Sequence, residues 1–550
     1  MRLDCIPDLV DRYRLAVLTD MQLPAVDLIG QLFCSPSSIM FHQQGEYAFL
    51  DFHRCKFNLN PRHRQDLALE SSLLHFLGRI NKMQHIFSDE NIRTLTFFQT
   101  KILPLRKDKK MKRFIYDDLV KWSKKADNNR KPLLIEGARQ VGKTWLAREL
   151  GNNEFESYIE LNFEKQKALR TLFELDFDIQ RIMLAISAFS GKTVTPGKTL
   201  IFFDEIQWAP RGLLCLKYFK DEHPEYHIIA AGSLLGVIDH EGDSFPVGKV
   251  EYLNVYPMNF AEFLLASGKE KFYDILKSND WSLINVMFDQ FENSLRNYYY
   301  VGGMPEAVQT FVDSGDYASV RKVQRDLIKS YKKDFSKHPP KDVIPRMHLV
   351  WDSIPGHLSK ENKKLVYSAI RPGARAKDFE TAIQWLVDAG VVYKETRVTA
   401  GESPLKGFED EETFKLFLVD IGLLGAMCGL NRKSLIDGSE FYKQYKGAMT
   451  EQFVMQELMA CDAPDLKVHY WSPDVGEAEL DFVIETGGYV APLEAKAEQN
   501  LKAKSLKSFS QKYKTPYIFR TSISPYFKGD NVTDIPLFAV TKTVSLLNQD

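Results

Sequence analysis

Along the middle of the chain, short runs of consecutive apolar residues alternate with longer segments whose apolar positions recur at helical spacing. Leu133-Leu134-Ile135, Leu200-Ile201-Phe202-Phe203 and Ile228-Ile229-Ala230-Ala231 are of the first kind, and unbroken runs of this length suit parallel strands buried on both faces. A helix-forming segment, Trp145 to Leu150, follows the first run, and strand and helix alternate from there to about residue 260, as a parallel three-layer α/β core requires. Ahead of it, Lys112 to Trp122 spaces its apolar residues as an amphipathic helix leading into the first strand.

From Phe260 to about Phe335 the pattern turns mainly helical, with the turn Gly302-Gly303-Met304-Pro305-Glu306 between amphipathic stretches, a layout that suits a lid. Ala376 to Val387 then predicts a helix that Gly390 stops before the strand Val391-Val392-Tyr393-Lys394. Helix, turn and strand in this order predict a winged-helix unit, which binds DNA in some proteins and only holds domains together in others. Near the C-terminus, Glu477 to Glu485 and Tyr489 to Lys496 predict a β-hairpin. The resulting division is an N-terminal extension (1–110), an α/β core (111–260), a helical region (261–340), a winged-helix-like region (341–430) and a C-terminal α/β domain (431–550).

At 550 residues the chain is too long for one core. Its 72 basic residues balance 73 acidic ones, so polyanion binding would need local patches, such as Lys502, Lys504 and Lys507. No apolar run approaches the ~20 residues that cross a bilayer, and the N-terminus lacks the layout of a secretion signal, so a cytoplasmic protein without membrane contact is expected. The six cysteines are scattered, without a C-x-x-C pair, which fits reduced thiols. Cys5, Cys34, Cys55 and five histidines fall in the first 110 residues, but their spacing matches no metal motif.

The first apolar run leads into Gly137-Ala138-Arg139-Gln140-Val141-Gly142-Lys143-Thr144, a P-loop in its proper strand-to-helix setting. Gly137 and Gly142 let the backbone curl until successive N–H groups face phosphate oxygens, and the following helix adds its positive end. Lys143 is placed to reach the outer phosphates and Thr144 to offer a hydroxyl to Mg²⁺. The second run ends in Asp204-Glu205, where Asp204 can hold Mg²⁺ through water and Glu205 can orient or deprotonate the attacking water. The third ends in Gly232-Ser233; Ser233 is the sensor candidate for the γ-phosphate, although Ser after Gly is also a common turn.

A second constellation lies on the C-terminal hairpin, with Asp481 at the start of one strand and Glu494 near the end of the other. Lys496 shares the face of Glu494 because strand side chains alternate with period two. Two carboxylates suit Mg²⁺ or Mn²⁺, and a neighbouring lysine can position hydroxide or steady a leaving charge. The helical run Thr450 to Leu458 adds Glu451 and Glu457 as further ligand candidates, although six residues apart they do not stack on one face. The bland alternative is an edge hairpin with solvated charges.

Taken together, these motifs resemble AAA+ ATPases of archaeal and bacterial type that carry a C-terminal domain of the PD-(D/E)XK, restriction-endonuclease-like superfamily, the AAA_14 plus DUF4143 type. The likeness runs from Met111 onward and includes Ala231 to Gly236, Ser244 to Val250, Tyr256 to Phe260, Gly302 to Glu306 and Lys415 to Leu424. It implies an AAA+ core with helical lid, a winged-helix-like linker and a nuclease-like fold carrying Asp481, Glu494 and Lys496, with ATP and Mg²⁺ as cofactors. The function it implies is ATP binding and hydrolysis coupled to that domain, with DNA an open partner and homo-oligomers an open state. The alternative is an ATP-dependent regulatory switch whose nuclease-like domain is catalytically dead and binds a partner. One departure is that Lys249 stands where an arginine finger is usual, which fits slow turnover, a finger from elsewhere such as Arg211, or no ring assembly.

Overall fold

The computed structural model describes residues 111–232, 246–337, 339–360, 363–432, 440–476, 478–497 and 504–547, together with the backbone of four strands between residues 33 and 58. The chain divides into two compact units, Met1–Lys109 and Lys110–Asp550. In the first, β1 (Phe33–Ser35), β2 (Ser38–Gln43), β3 (Glu46–Asp51) and β4 (Lys56–Asn58) pair antiparallel in sequence order. The cysteine and histidine side chains of this region, weighed above as metal ligands, lie outside the described residues, as does Lys502.

The second unit begins with the expected parallel sheet. Strands β5 (Leu133–Glu136), β6 (Ser157–Asn162), β7 (Thr199–Asp204), β8 (His227–Ala231) and β9 (Glu251–Asn254) lie in the order β6-β7-β8-β5-β9. Both faces of its centre are buried, and the period-two alternation sorts the side chains. Leu133, Ile135, Leu200 and Phe202 enter one core, while Leu134, Ile201, Phe203 and Ile228 enter another on the opposite face. Each such side chain stabilises the fold by roughly 2 kcal/mol when fully withdrawn from water, so the apolar runs fix these strands as central ones. Chain direction from β5 is carried by the helix Lys143–Glu154 to β6 at the far edge, and from β8 to β9 on the other side of β5. The carboxyl end of β5 therefore lies at a topological switch point, where open α/β sheets bind ligands.

Helices Phe260–Ala266, Phe288–Val301, Pro305–Ser314 and Tyr317–Asp334 follow, in agreement with the helical pattern. A capping box starts the first: Asn259 Oδ1 accepts from Glu262 N (2.9 Å) and Glu262 Oε2 from Asn259 N (3.2 Å). The helix Ala376–Asp388 is also present and leads into β10 (Val392–Val398), which forms an antiparallel hairpin with β11 (Glu409–Leu418). This hairpin does not stand apart as a wing. Arg397 and Val398 of β10 pair parallel with Tyr470 and Trp471 of β12 (Lys467–Trp471). The sheet continues through β13 (Leu480–Thr486), β14 (Tyr489–Lys496), β15 (Phe519–Ser522), β16 (Phe527–Lys528) and β17 (Thr533–Pro536), eight strands in the order β11-β10-β12-β13-β14-β15-β17-β16. One sheet thus crosses the division expected near residue 430.

Three of the sequence motifs meet beneath this sheet. The buried Asp420 carboxylate accepts from Gly303 N (2.6 Å) and Leu423 N (3.0 Å), while Gly303 O accepts from Met258 N (2.7 Å). A Cβ on Gly303 would stand 2.0 Å from Met258 O, so only glycine permits this approach. The long helix Glu440–Met459 closes the junction: Gln456 Oε1 accepts from Ile421 N (2.7 Å) and its Nε2 donates to Tyr298 Oη (2.9 Å).

Candidate functional site

At the carboxyl end of β5 the chain turns through the P-loop with Gly137 at φ +129° and Gly142 at φ +103°. Gly142 caps the N-terminus of the helix Lys143–Glu154, so the positive end of that helix faces the loop. A Cβ on Gly137 would come within 2.1 Å of Val255 O, which explains the first glycine by packing as well as by φ. Gln140, between the two glycines, is also left-handed at φ +66°. Lys143 is buried and its Nζ donates to Gly137 O (2.7 Å) and Ala138 O (2.8 Å). Burial pulls its ammonium down to about 8 against the attraction of Glu205 and Asp204. The lysine therefore rests inside the curl of the loop, facing both acids.

Those acids end β7. Asp204 Oδ1 accepts from Thr144 Oγ1 (3.3 Å) and Oδ2 from Asn162 Nδ2 (2.9 Å), and burial, then the neighbouring Glu205, raises its pKa. A hydroxyl and a carboxylate side by side form a hard-oxygen pair that fits Mg²⁺. Glu205 is left-handed at φ +55°, a conformation a side-chain-bearing residue adopts only where its surroundings hold it. Gln207 Nε2 donates to its Oε2 at 2.5 Å. Thus Lys143, Thr144, Asp204 and Glu205 come together as read from the sequence, whereas Ser233 lies outside the described residues. Lys249 Nζ is bound to Asp221 (2.6 Å), and Arg211 Nε donates to Phe173 O (2.9 Å) with its guanidinium over the Phe177 ring.

Several residues at this site carry no sequence motif. Arg113 bridges to the loop, its Nη1 donating to Val141 O (2.8 Å), its Nη2 to Tyr256 O (2.7 Å) and its Nε to Glu262 (3.1 Å). From the helix Tyr317–Asp334, Tyr331 Oη donates to Arg139 O (2.8 Å) and Asp334 accepts from Arg139 Nη1 (2.6 Å). Only Asn162, at the end of the strand beside β7, had a signal that could have been used: a polar residue closing a neighbouring strand run.

The C-terminal hairpin is formed as expected, its register pairing Phe482 with Leu493 and Ile484 with Ala491. Asp481 Oδ2 accepts from Ala495 N (2.9 Å), and Lys496 pairs with Glu494. Burial, with Asp481 nearby, raises Glu494 to about 7, and its Oε2 is buried without a hydrogen-bond partner. Glu451 reaches the same place from the helix Glu440–Met459: its pKa is raised by burial and by Asp481, it pairs with Lys363, and its Oε2 also lacks a hydrogen-bond partner. Glu457 does not join them. It sits at the amino end of another helix, where its Oε1 accepts from Phe260 N (2.8 Å), because six residues turn it away from Glu451 around their shared helix.

The cluster draws in residues outside the hairpin. Lys415 of β11, almost fully buried, lies 3.3 Å from Glu479, 3.7 Å from Glu451 and 3.9 Å from Glu395. Orphaned buried carboxylate oxygens of Glu451 and Glu494 are the feature that fits a cation. Against it, among the described residues no group of three or more His, Cys, Asp and Glu is arranged to hold a metal ion.

Residues 129–264 match the family model of an AAA domain, AAA_14. Residues 292–434 and 446–539 match two domains of unknown function, DUF8612 and DUF4143. Among solved structures, the chain is similar to a Walker-type ATPase of Pyrococcus abyssi at 15% identity and TM-score 0.35, covering 58% of this chain and 95% of that one. It is similar to PCH-2 of C. elegans at 12% identity and TM-score 0.19, covering 28% and 44%. No curated protein matches. With the P-loop and its paired acids in place, residues 129–264 form an AAA-type P-loop ATPase domain. No helix among the described residues is long and apolar enough to cross a membrane.

Proposed function

We propose that this chain binds Mg-ATP at residues 137–144 and hydrolyses it, coupling the cycle to the C-terminal domain. The observation that carries the reading is the convergence of Lys143, Thr144, Asp204 and Glu205 at the switch point of the parallel sheet. Main-chain N–H groups of the P-loop and the end of its helix bind the phosphates, and Lys143 leaves its carbonyl partners to meet the outer ones. Thr144 and Asp204 would hold Mg²⁺, which neutralises phosphate charge. Glu205 orients the attacking water, and Ser233 is the proposed sensor.

For the C-terminal domain the first reading is metal-dependent cleavage of DNA by a PD-(D/E)XK-like site of Asp481, Glu494, Lys496 and Glu451. A second reading has its own observation: Lys496 on Glu494 and Lys363 on Glu451 supply the positive charge internally, and the described acids form no three-ligand group. That favours a catalytically dead domain that recognises a partner.

One experiment separates these readings: ATP hydrolysis and DNA cleavage by wild type, Lys143→Ala, Glu205→Gln and Asp481→Ala, with Mg²⁺ or Mn²⁺, with and without single- and double-stranded DNA. Hydrolysis should fall at least 100-fold in the first two variants and persist in Asp481→Ala. Hydrolysis unchanged in Lys143→Ala overturns the ATPase reading. Cleavage lost in Asp481→Ala while its ATP hydrolysis persists supports the nuclease, cleavage retained there removes that site from it, and no cleavage by any protein supports the switch.

A further inference from the structure

Gln140 is the one residue between the two P-loop glycines with a side chain and a left-handed backbone, at φ +66°. Its side chain is exposed. A left-handed non-glycine residue costs conformational energy and persists where neighbouring contacts over-determine it. Here the contacts are on the carbonyls to either side. Arg139 O accepts from Tyr331 Oη (2.8 Å), and Val141 O accepts from Arg113 Nη1 (2.8 Å). Asp334 adds a third hold through the Arg139 guanidinium (2.6 Å). Tyr331 is almost fully buried, and its hydroxyl meets the loop at this carbonyl.

All three pins come from outside residues 129–264, and two of them, Tyr331 and Asp334, lie on the helix Tyr317–Asp334. We propose that Tyr331 and Asp334 are positioning residues of the nucleotide site: they hold the strained Arg139–Gln140–Val141 backbone in its phosphate-binding curl, so the helical region completes the P-loop. This inference rests on the ATP-binding reading above. By linkage, nucleotide that needs the pinned curl tightens the seat of the helix on the loop to the same degree as the helix tightens nucleotide binding.

The argument predicts a specific rescue. Glycine occupies left-handed φ without penalty, so a Gln140→Gly loop no longer depends on its pins. The test titrates a fluorescent ATP analogue with Mg²⁺ into wild type, Tyr331→Phe, Gln140→Gly and the double variant, with urea midpoints as a check on folding. Tyr331→Phe, which removes only the hydroxyl, should weaken binding roughly fivefold, the worth of one hydrogen bond. In the Gln140→Gly background the same change should cost less than about twofold. Asp334→Asn, read in the same two backgrounds, should behave alike and keeps the test open should Tyr331→Phe unfold the chain. Equal losses in both backgrounds, or none in either, overturn the inference while leaving the ATP site standing. A folded wild-type chain that binds no analogue overturns the ATP-binding reading and this inference with it.

Discussion

His227 begins β8, the strand between β7 and β5, at the end away from Asp204, and shows how a single residue ties stability to pH. Its Nε2 lies 3.1 Å from Ser123 O, its Nδ1 is buried without a partner, and the ring packs edge-on to Trp122 and Phe155. Burial, reinforced by the charge of Arg130, pushes the imidazole down to about 4 from an ordinary value of 6.5. Between those values the unfolded chain binds the extra proton, so this contribution is whole above pH 6.5 and is lost as pH falls toward 4. At pH 5 roughly 2 kcal/mol is gone on a shift of this size. Urea midpoints of wild type and His227→Gln at pH 7.5 and pH 5 should therefore converge on acidification. Parallel losses in the two proteins would mean that His227 is not held neutral in the fold. Residues of the P-loop and β7 were legible in the sequence because phosphate chemistry demands particular types at fixed spacing within one turn. Arg113, Tyr331 and Asp334 were not, since each meets the loop across 28 to 195 residues of chain and no periodicity marks it.

At the scale of elements, apolar runs announced the central strands and helical spacing of apolar residues announced helices, but strand partners were announced less well. A hairpin reads the same in sequence whether it ends as a free wing or continues a larger sheet. The difference for β10 and β11 lies in two pairs with β12, some seventy residues away. The edge at β11 is then closed by a side chain rather than a strand. Gln452 of the helix Glu440–Met459 accepts from Leu418 N (2.9 Å) through Oε1 and donates to Leu418 O (2.6 Å) through Nε2, mimicking a peptide neighbour. Both side-chain groups are buried. Gln452→Met keeps the volume and leaves two buried main-chain groups without partners, which should cost about 2 kcal/mol or more. The urea midpoint reports it, and a loss within ~0.5 kcal/mol of zero would show that water reaches this edge. The same helix carries Glu451 into the acidic cluster and Gln456 into the junction of Asp420, Gly303 and Tyr298.

At the scale of the whole molecule, one of the second unit's cores runs through all three of its regions. Leu133 and Phe202 of the parallel sheet, Tyr298 and Tyr331 of the helices, and Leu416, Phe482 and Leu493 of the eight-stranded sheet all belong to it. Motif reading divides a chain where chemistry changes, whereas packing divides it where apolar contact stops, and here the two disagree near residue 430. The disagreement is testable by truncation. A chain ended after Arg432 loses β12, leaving the pairing edge of β10 open, and strips the apolar cover of Leu416, Phe417 and Leu418. An open apolar edge templates association, so this fragment should aggregate or unfold on size exclusion, although it retains every residue of the P-loop and β7. A chain beginning at Lys110 removes the other compact unit and none of these contacts, and it should remain monodisperse with the ATP hydrolysis of the full chain. Should the fragment ended after Arg432 fold and turn over ATP normally, the C-terminal strands would be an independent domain, and coupling through the helix Glu440–Met459 would lose its physical basis. Should it unfold while the Lys110 chain keeps its activity, the ATP site and the acidic cluster belong to one cooperative body, and a nucleotide-driven change at the P-loop has a continuous packed route to Glu451.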